Sequence, residues 1–154
     1  FIRDSNTARS VTNIFDQLYD LLGHEKFTQL FPVILTDRGS EFTNPLGIEF
    51  NSFGERRTRI FYCDSQCPNQ KGGCEVTHEM IRRVLPKKTS FDDLVQEDIS
   101  LMMSHINCYT RKKLNNKSAH QLFSFFHSEE IFTKLGLVVI PANEINLTIN
   151  LLKK

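Results

Sequence analysis

The chain has 154 residues, which is enough for one domain with a real core and too few for two ordinary ones. Its 40% hydrophobic and 24% charged residues are ordinary globular usage, and a formal net charge of +1 does not by itself indicate a nucleic-acid-binding protein. No apolar run approaches the roughly 18 residues that a membrane-spanning helix needs, and the polar first residues are not expected to form a signal peptide.

The first half of the chain predicts one amphipathic helix and two strands. Apolar residues recur at helical spacing from Thr7 to Gly23, which predicts a helix with one buried face. The β-branched run from Val33 predicts a buried strand that ends at Asp37, and residues 58–63 predict a second, neighbouring strand. The turn-forming residues between them predict a loop that leads to a short helix.

The second half predicts mainly helices. A helix is expected from about Cys74 to Leu85, and Ser90 with Asp93 three residues later resembles a capping box that starts another. Two short helices and an extended tail are expected to follow, over residues 118–126, 128–135 and 135–148. The order of helix, strand, strand and further helices indicates the α/β class.

The positive charge is clustered, although the net charge is small. The clusters are Arg56, Arg57 and Arg59; Arg82, Arg83, Lys87 and Lys88; and Arg111, Lys112, Lys113 and Lys117. Such runs most often form a solvated surface, so the clusters alone do not predict a ligand.

Two acidic residues stand where an active site is often placed. Asp37 ends a strand, at the edge of an α/β sheet where ligands bind, and Glu75 opens a helix after a loop that contains Gly72 and Gly73. Mg²⁺ prefers such carboxylate oxygens. Strand-end aspartates and helical glutamates are common, however, and their spacing alone is a weak signal.

The residues around both acids form a more specific pattern. The segments "ILTDRGSEF" and "PNQKGGCEVTHEMIRRVLPKKTSF" resemble the catalytic cores of DDE-type bacterial insertion-sequence transposases and of retroviral integrases. The matching residues are Asp37, Gly39, Glu41, Phe42, Pro68, Gln70, Lys71, Gly72, Glu75, Arg82, Leu85, Pro86, Lys87 and Thr89. A third segment, "INCYTRKKLNNKSAHQLF", is similar to a later stretch of the same family, with Asn107, Arg111, Lys112, Leu114, Lys117 and Phe123 in register.

The chain also departs from the family pattern. Val76 and His78 stand where the family has Asn soon after the catalytic Glu, and Ala119 and His120 replace its Thr-Pro. The family's first catalytic Asp has no counterpart, because Asp4 follows no strand. We therefore expect an N-terminally truncated fragment that is inactive alone.

The resemblance implies a partial RNase H-like (integrase catalytic core) fold with a helical extension. Residues 1–126 would be the C-terminal part of the core, and residues 127–154 a C-terminal helix and extended tail. It further implies a cytoplasmic protein with no membrane contact. The intact protein would form a homo-oligomer on transposon ends and target DNA.

The family's mechanism implies roles for particular residues. Two Mg²⁺ or Mn²⁺ ions, held by three carboxylates that include Asp37 and Glu75, would promote DNA strand cleavage and strand transfer. The implied DNA contacts are Lys71, Arg82, Arg83, Arg111 and Lys112. Glu79, one turn after Glu75, is expected to pair with Arg82 or Arg83 on the surface, and Glu41 is expected to be a loop acid.

Other interpretations stay open. Cys63, Cys67, Cys74 and His78 could form a structural zinc site, although their spacing fits no familiar module and reduced thiols are the simpler interpretation. A decayed, non-catalytic nucleic-acid-binding remnant would retain only the basic surfaces. A hydrolase triad has no support, and His120 is expected on a helix surface.

Overall fold

The computed structural model describes residues 1–64, 70 and 72–152 of the chain. The chain divides into two compact units, of which the first comprises residues 1 and 3–72 and the second residues 2 and 73–154. In the described residues, helices combine with small two-stranded sheets, which confirms the α/β class in its broad sense. The boundary expected between residues 126 and 127 stays a prediction.

The first unit packs two helices against a parallel pair of strands. Its elements are α1 (Ala8–Leu30), β1 (Ile34–Thr36), α2 (Pro45–Glu49) and β2 (Ile60–Tyr62). The strands β1 and β2 pair in parallel with Ile34 opposite Ile60, which confirms the predicted neighbouring strands. Val11 of α1, Ile48 of α2 and Ile60 of β2 form the buried core that holds these elements together.

Helix α1 begins at a predicted cap and continues beyond its predicted end. The Thr7 hydroxyl accepts the N–H of Ser10 at 3.2 Å, and the Thr7 N–H donates to Ser10 Oγ at 3.3 Å. Gly23 has φ of 76° and ψ of 164°, so the helix is kinked there and resumes as far as Leu30. Phe27, in the helical segment that follows Gly23, is completely buried, so this segment packs into the core.

The second unit is mainly helical. Its elements are α3 (Gly72–Val84), α4 (Gln96–Cys108), β3 (Thr110–Arg111), β4 (Lys117–Ser118), α5 (Ala119–Phe126) and α6 (Glu129–Lys134). Met80 and Val84 of α3 pack against Met102 and Ile106 of α4, which confirms the predicted inner face of α3. The predicted short helices are also present as α5 and α6. The antiparallel pair of β3 and β4 was not predicted.

The predicted start of α4 at Ser90 is wrong. The Ser90 hydroxyl instead accepts the N–H of Asp92 at 3.1 Å and donates to the Asp92 carboxylate at 2.7 Å, which forms a turn. The helix begins at Gln96, where the Asp98 carboxylate accepts the N–H of Val95 at 3.0 Å. Because the Val95 side chain cannot accept a hydrogen bond, the true start lacks the usual sequence signal.

The C-terminal tail is held on α4 by side chains rather than by a strand. Ser104 Oγ accepts the N–H of Val138 at 3.0 Å, and Cys108 Sγ accepts the N–H of Ile140 at 3.3 Å. Farther along, His105 Nδ1 accepts the N–H of Asn146 at 3.2 Å. These bonds satisfy the backbone of an extended segment that no strand of the described residues pairs with.

The His105 contact predicts a dependence of stability on pH. Burial lowers the pKa of His105 from its ordinary value of 6.5, and the carboxylate of Glu144 opposes that shift. The native state therefore favours neutral His105, so its stability falls as the pH drops below 6.5. We expect His105→Asn, which keeps an acceptor but cannot be protonated, to reduce the loss of stability between about pH 7 and pH 5 in urea titrations. An unchanged loss would contradict this assignment.

Candidate active site and basic surfaces

Asp37 lies where β1 ends, as predicted. Thr36 is the last residue of β1 and is buried, whereas Asp37 directly after it is exposed to solvent. The carboxylate is oriented by its own turn, because the N–H of Gly39 donates to Asp37 Oδ1 at 3.2 Å. The strand pair and the turn thus present an accessible carboxylate at the carboxyl end of a parallel sheet, where ligand sites of open α/β sheets lie.

The loop after Asp37 is anchored to the other strand. It forms a short 3₁₀ turn over Ser40–Phe42, and the Tyr62 hydroxyl donates to the Phe42 carbonyl at 2.6 Å. Glu41 lies in this loop as expected, and its carboxylate folds back over Gly39, where an added Cβ would come within 2.4 Å of Glu41 Oε2. The anchoring fixes the loop that carries the first acidic motif.

Thr36 is a feature of this site that the sequence did not indicate. Its side chain is 3% exposed, and its hydroxyl has no hydrogen-bond partner among the described residues. A buried, unpaired hydroxyl is destabilising, and such groups are often retained at functional positions. The β-branched run suggested only an apolar strand, so Thr36 was not distinguished from its neighbours.

Glu75 lies in the first turn of α3 and is exposed. Glu79 is also exposed, one helical turn later, and Arg82 and Arg83 occupy the last turn of the same helix. Within the described residues, Glu79 forms no ion pair with either arginine, contrary to the expected pairing. Asp37 belongs to the first unit and Glu75 to the second, so their meeting in one cleft stays a prediction.

Gln70, one of the motif residues, forms two hydrogen bonds with Asp64. The side-chain amide of Gln70 donates to Asp64 Oδ2 at 2.9 Å, and its carbonyl accepts the N–H of Asp64 at 2.9 Å. This reciprocal pair joins Asp64, two residues after β2, to Gln70, two residues before α3. In the sequence, Gln70 was notable only because it matches the family motif. The structure shows that its side chain binds Asp64. Lys71 and Pro68, also in the motif, lie outside the described residues.

The predicted DNA contacts differ in accessibility. Arg82, Arg83 and Lys112 are exposed. Arg111 is half-buried, and its guanidinium donates to the Ile106 carbonyl at 3.3 Å near the end of α4. Its Nε is buried with no hydrogen-bond partner in the described part of the chain. Arg111 therefore contributes to the closure of α4 as well as to the local positive charge.

Arg57 is not part of a solvated basic surface, contrary to the simplest interpretation of its cluster. Its side chain is fully buried and forms an ion pair with Asp16 Oδ1 at 2.7 Å. It also donates to the carbonyls of Ile48 at 3.0 Å and Gly47 at 2.9 Å. Its neighbour Arg56 remains at the surface and pairs with Glu49 at 3.2 Å. Sequence proximity of three arginines could not distinguish these environments.

The described residues contain no group of three or more His, Cys, Asp or Glu side chains that could hold a metal ion. Cys63 is buried and Cys74 exposed, and both are free thiols. Cys67, the fourth member of the proposed zinc set with His78, lies outside the described residues. The structure therefore adds no support to a zinc site.

His120 is buried, so its expected surface position is wrong. It lines an apolar cavity of about 230 Å³ and packs its ring against Phe132 at 4.5 Å. Ser124 Oγ lies 3.2 Å and Glu129 Oε1 3.6 Å from the same ring atom, Nε2. A catalytic triad needs the hydroxyl and the carboxylate on opposite ring nitrogens, so this arrangement is not one.

Asp37 is thus an accessible acid at the end of a strand in the first unit, and Glu75 is an exposed acid on a helix of the second unit. Comparison with known proteins identifies several sequences similar to this chain. The chain is 30% identical over 120 residues to a putative integrase of a Spiroplasma virus, a match that covers 78% of this chain and 35% of that protein. The chain therefore spans only about a third of the length of that relative.

Bacterial transposases are also similar to this chain. The transposase for insertion sequence element IS1086 of Cupriavidus metallidurans is 35% identical over 66 residues, which is 43% of this chain and 20% of that protein. The transposase InsI for IS30A of Escherichia coli is 30% identical over 86 residues, which is 56% of this chain and 21% of that protein. These similarities support a transposase family.

Two further comparisons gave no match. No family model matches the sequence, and no solved structure matches the fold. Among the described residues, no helix is both long enough and apolar enough to span a membrane.

Proposed function

We propose that this chain is part of the catalytic core of a DDE-type transposase with an RNase H-like fold, which cleaves DNA strands and joins them to target DNA. The observation that carries the proposal is the position of Asp37 at the carboxyl end of a parallel strand pair, within the motif that resembles this family. Glu75 in the first turn of α3 supplies the second acid of the motif. The similarity to transposases of insertion sequences supports the same function.

The donor chemistry of the two acids fits Mg²⁺ or Mn²⁺. Both are carboxylates that solvent can reach, and hard divalent cations prefer oxygen ligands and retain open positions for water or phosphate. Asp37 and Glu75 would hold the ions, of which two are proposed in the intact protein. When bound, such ions stabilise the charge that develops on phosphodiester oxygens and lower the pKa of a coordinated water.

The other residues of the chain would position the acids and the DNA. The turn at Gly39 orients the Asp37 carboxylate, and the Gln70–Asp64 pair joins two residues of the chain between β2 and α3. Transposon ends and target DNA are the proposed partners, in a cytoplasmic homo-oligomer. The proposed phosphate contacts, which would position DNA without reading its sequence, are Lys71, Arg82, Arg83, Arg111 and Lys112.

The motif accounts for two of the three acids of such a site. We therefore propose that these 154 residues bind DNA but do not transfer strands without a further acid. A non-catalytic nucleic-acid-binding role is the alternative, and the exposed basic side chains of α3 favour it equally. The two proposals diverge only when the acids are tested in a protein that carries all three.

Binding of DNA by the chain tests the shared part of both proposals. We expect Arg82→Ala and Arg83→Ala each to weaken binding to duplexes of any sequence, because each removes an exposed cation from a phosphate-binding surface. The slope of log affinity against log salt should fall by about one for each lost contact. Fluorescence anisotropy with a labelled 30-base-pair duplex, titrated between about 50 and 200 mM salt, measures both quantities.

Arg9→Ala is the matched control. Arg9 is an exposed arginine on α1 that belongs to none of the motifs, so its loss should leave the slope unchanged. If the unaltered chain fails to bind the duplex, or if all three variants behave alike, the proposed interface on α3 is wrong.

A further inference from the structure

The turn that follows α3 contains an unusual lysine. Helix α3 ends at Val84, and the N–H of Thr89 donates to the Pro86 carbonyl at 3.2 Å to close a turn. Lys88, the third residue of that turn, has φ of 72°. A positive φ at this position is the conformation that glycine adopts without steric cost and that a side chain with a Cβ adopts only with strain.

The other left-handed residues of the described chain show why Lys88 is an outlier. Asn115 and Asn116 have φ of 55° and 58°, and asparagine tolerates this region better than other residues with side chains. Lysine has no such advantage. The backbone of the turn therefore favours glycine or asparagine at position 88, and something other than local conformation must account for the lysine.

The contacts of Lys88 do not offset the strain. Its side chain is exposed and forms no ion pair or hydrogen bond with any described residue. The carboxylate of Asp92, a few residues later, is instead bonded to the Ser90 hydroxyl at 2.7 Å. Among the described residues, the ammonium group thus has no partner whose contact would offset the cost of this backbone conformation.

The surroundings of Lys88 suggest an anionic partner. Arg82 and Arg83 lie in the last turn of α3, where the helix dipole favours cations, so their charge has a partly structural explanation. Lys88 lies beyond the helix, where the dipole no longer acts. Together with Lys87 it extends the exposed positive charge from the helix end into the turn.

We propose that Lys88 is a DNA phosphate contact, presented at the tip of the turn after α3 by a left-handed backbone that glycine would adopt at lower cost. The inference rests on the proposed DNA-binding function and adds a residue that the motif comparison did not assign to it. In this proposal, position 88 needs the positive charge of lysine for DNA binding, whereas the backbone conformation there would be more stable with glycine. Stability and DNA affinity should then respond in opposite directions to the same substitution.

Lys88→Gly and Lys88→Asn test this opposition. Both relieve the strain and remove the charge, so each should raise the urea midpoint of unfolding. Both should also weaken binding of a labelled 30-base-pair duplex several-fold, with a salt slope lower by about one. Lys88→Arg keeps the charge on the strained backbone and should bind as the unaltered chain does. Asn116→Gly, which alters a left-handed residue without charge, should leave DNA binding unchanged.

The outcomes separate the inference from the function on which it rests. If the unaltered chain binds the duplex and Lys88→Asn binds equally well with the same salt slope, Lys88 is not a phosphate contact, although the DNA-binding proposal survives. If Lys88→Arg loses as much affinity as Lys88→Asn, the charge is not the cause and the inference fails. If the unaltered chain does not bind DNA, both proposals fall together.

Discussion

Asp37→Asn and Glu75→Gln should each lower DNA cleavage and strand transfer by about a thousandfold or more, in a protein that also carries the first acid of the motif. Each substitution replaces a negatively charged oxygen ligand by a neutral amide of nearly the same shape. The loss is therefore expected in the chemistry and not in the fold. Gel assays of strand cleavage and strand transfer with labelled transposon ends measure it directly.

Two controls keep this prediction specific. Glu79→Gln removes an exposed acid one turn along the same helix and should retain activity, because Glu79 is outside the motif register. DNA binding should persist in all three variants, since binding depends mainly on the basic side chains. An inactive Glu79→Gln variant together with an active Glu75→Gln variant would show that Glu79, and not Glu75, is the second acid of the site. Full activity of both Asp37→Asn and Glu75→Gln would exclude the proposed mechanism.

The elements with a clear periodic pattern could be predicted from the sequence. Helix α3 could be predicted from Met80 and Val84 on one face and from Pro86 beyond its end. In the structure, Met80 and Val84 do lie in a buried cluster with residues of α4. The parallel pairing of β1 and β2 follows from two short strands separated by a segment with its own turn and helix. For α3, local spacing and the tertiary environment favour the same structure. The burial expected for β1 is wrong, however, because Leu35 in its centre is 45% exposed.

Other features depend on contacts that no local pattern encodes. The extension of α1 past Gly23 is supported by the burial of Phe27, and a polar stretch around His24 obscured it. The pairing of Thr110 with Ser118 depends on two left-handed asparagines in the intervening turn. Likewise, the orientation of Asp37 could be expected from its position at a strand end, whereas the orphan hydroxyl of Thr36 could not, because it becomes unpaired only through packing.

Arg57 should give the largest change in stability of any substitution in the first unit. Its buried guanidinium joins α1 to α2 through the Phe15 carbonyl at 3.3 Å, the Gly47 carbonyl at 2.9 Å and the Asp16 carboxylate at 2.7 Å. Arg57→Ala would remove the donor to these groups and open a cavity beside the ring of Tyr19. Asp16 is 50% exposed and can be solvated, so the expected loss of about 3–5 kcal/mol comes from the unpaired carbonyls of Gly47 and Ile48 and from the cavity. Such a loss is a large share of the stability of a small unit.

The matched control for Arg57→Ala is Arg56→Ala. Arg56 is 47% exposed, and its partner Glu49 keeps a second hydrogen bond from the N–H of Ile60, so the loss of Arg56 should cost clearly less than the loss of Arg57. Arg57→Lys provides an intermediate case that keeps the charge but lacks the planar fork of donors, and it should fold even if Arg57→Ala does not. Urea denaturation followed by circular dichroism gives the free energy of unfolding of each variant. Equal losses for Arg56→Ala and Arg57→Ala would mean that the buried network does not hold the first unit together. A loss for Arg57→Lys as small as that for Arg56→Ala would mean that charge alone, without the directional bonds of the guanidinium, satisfies the site.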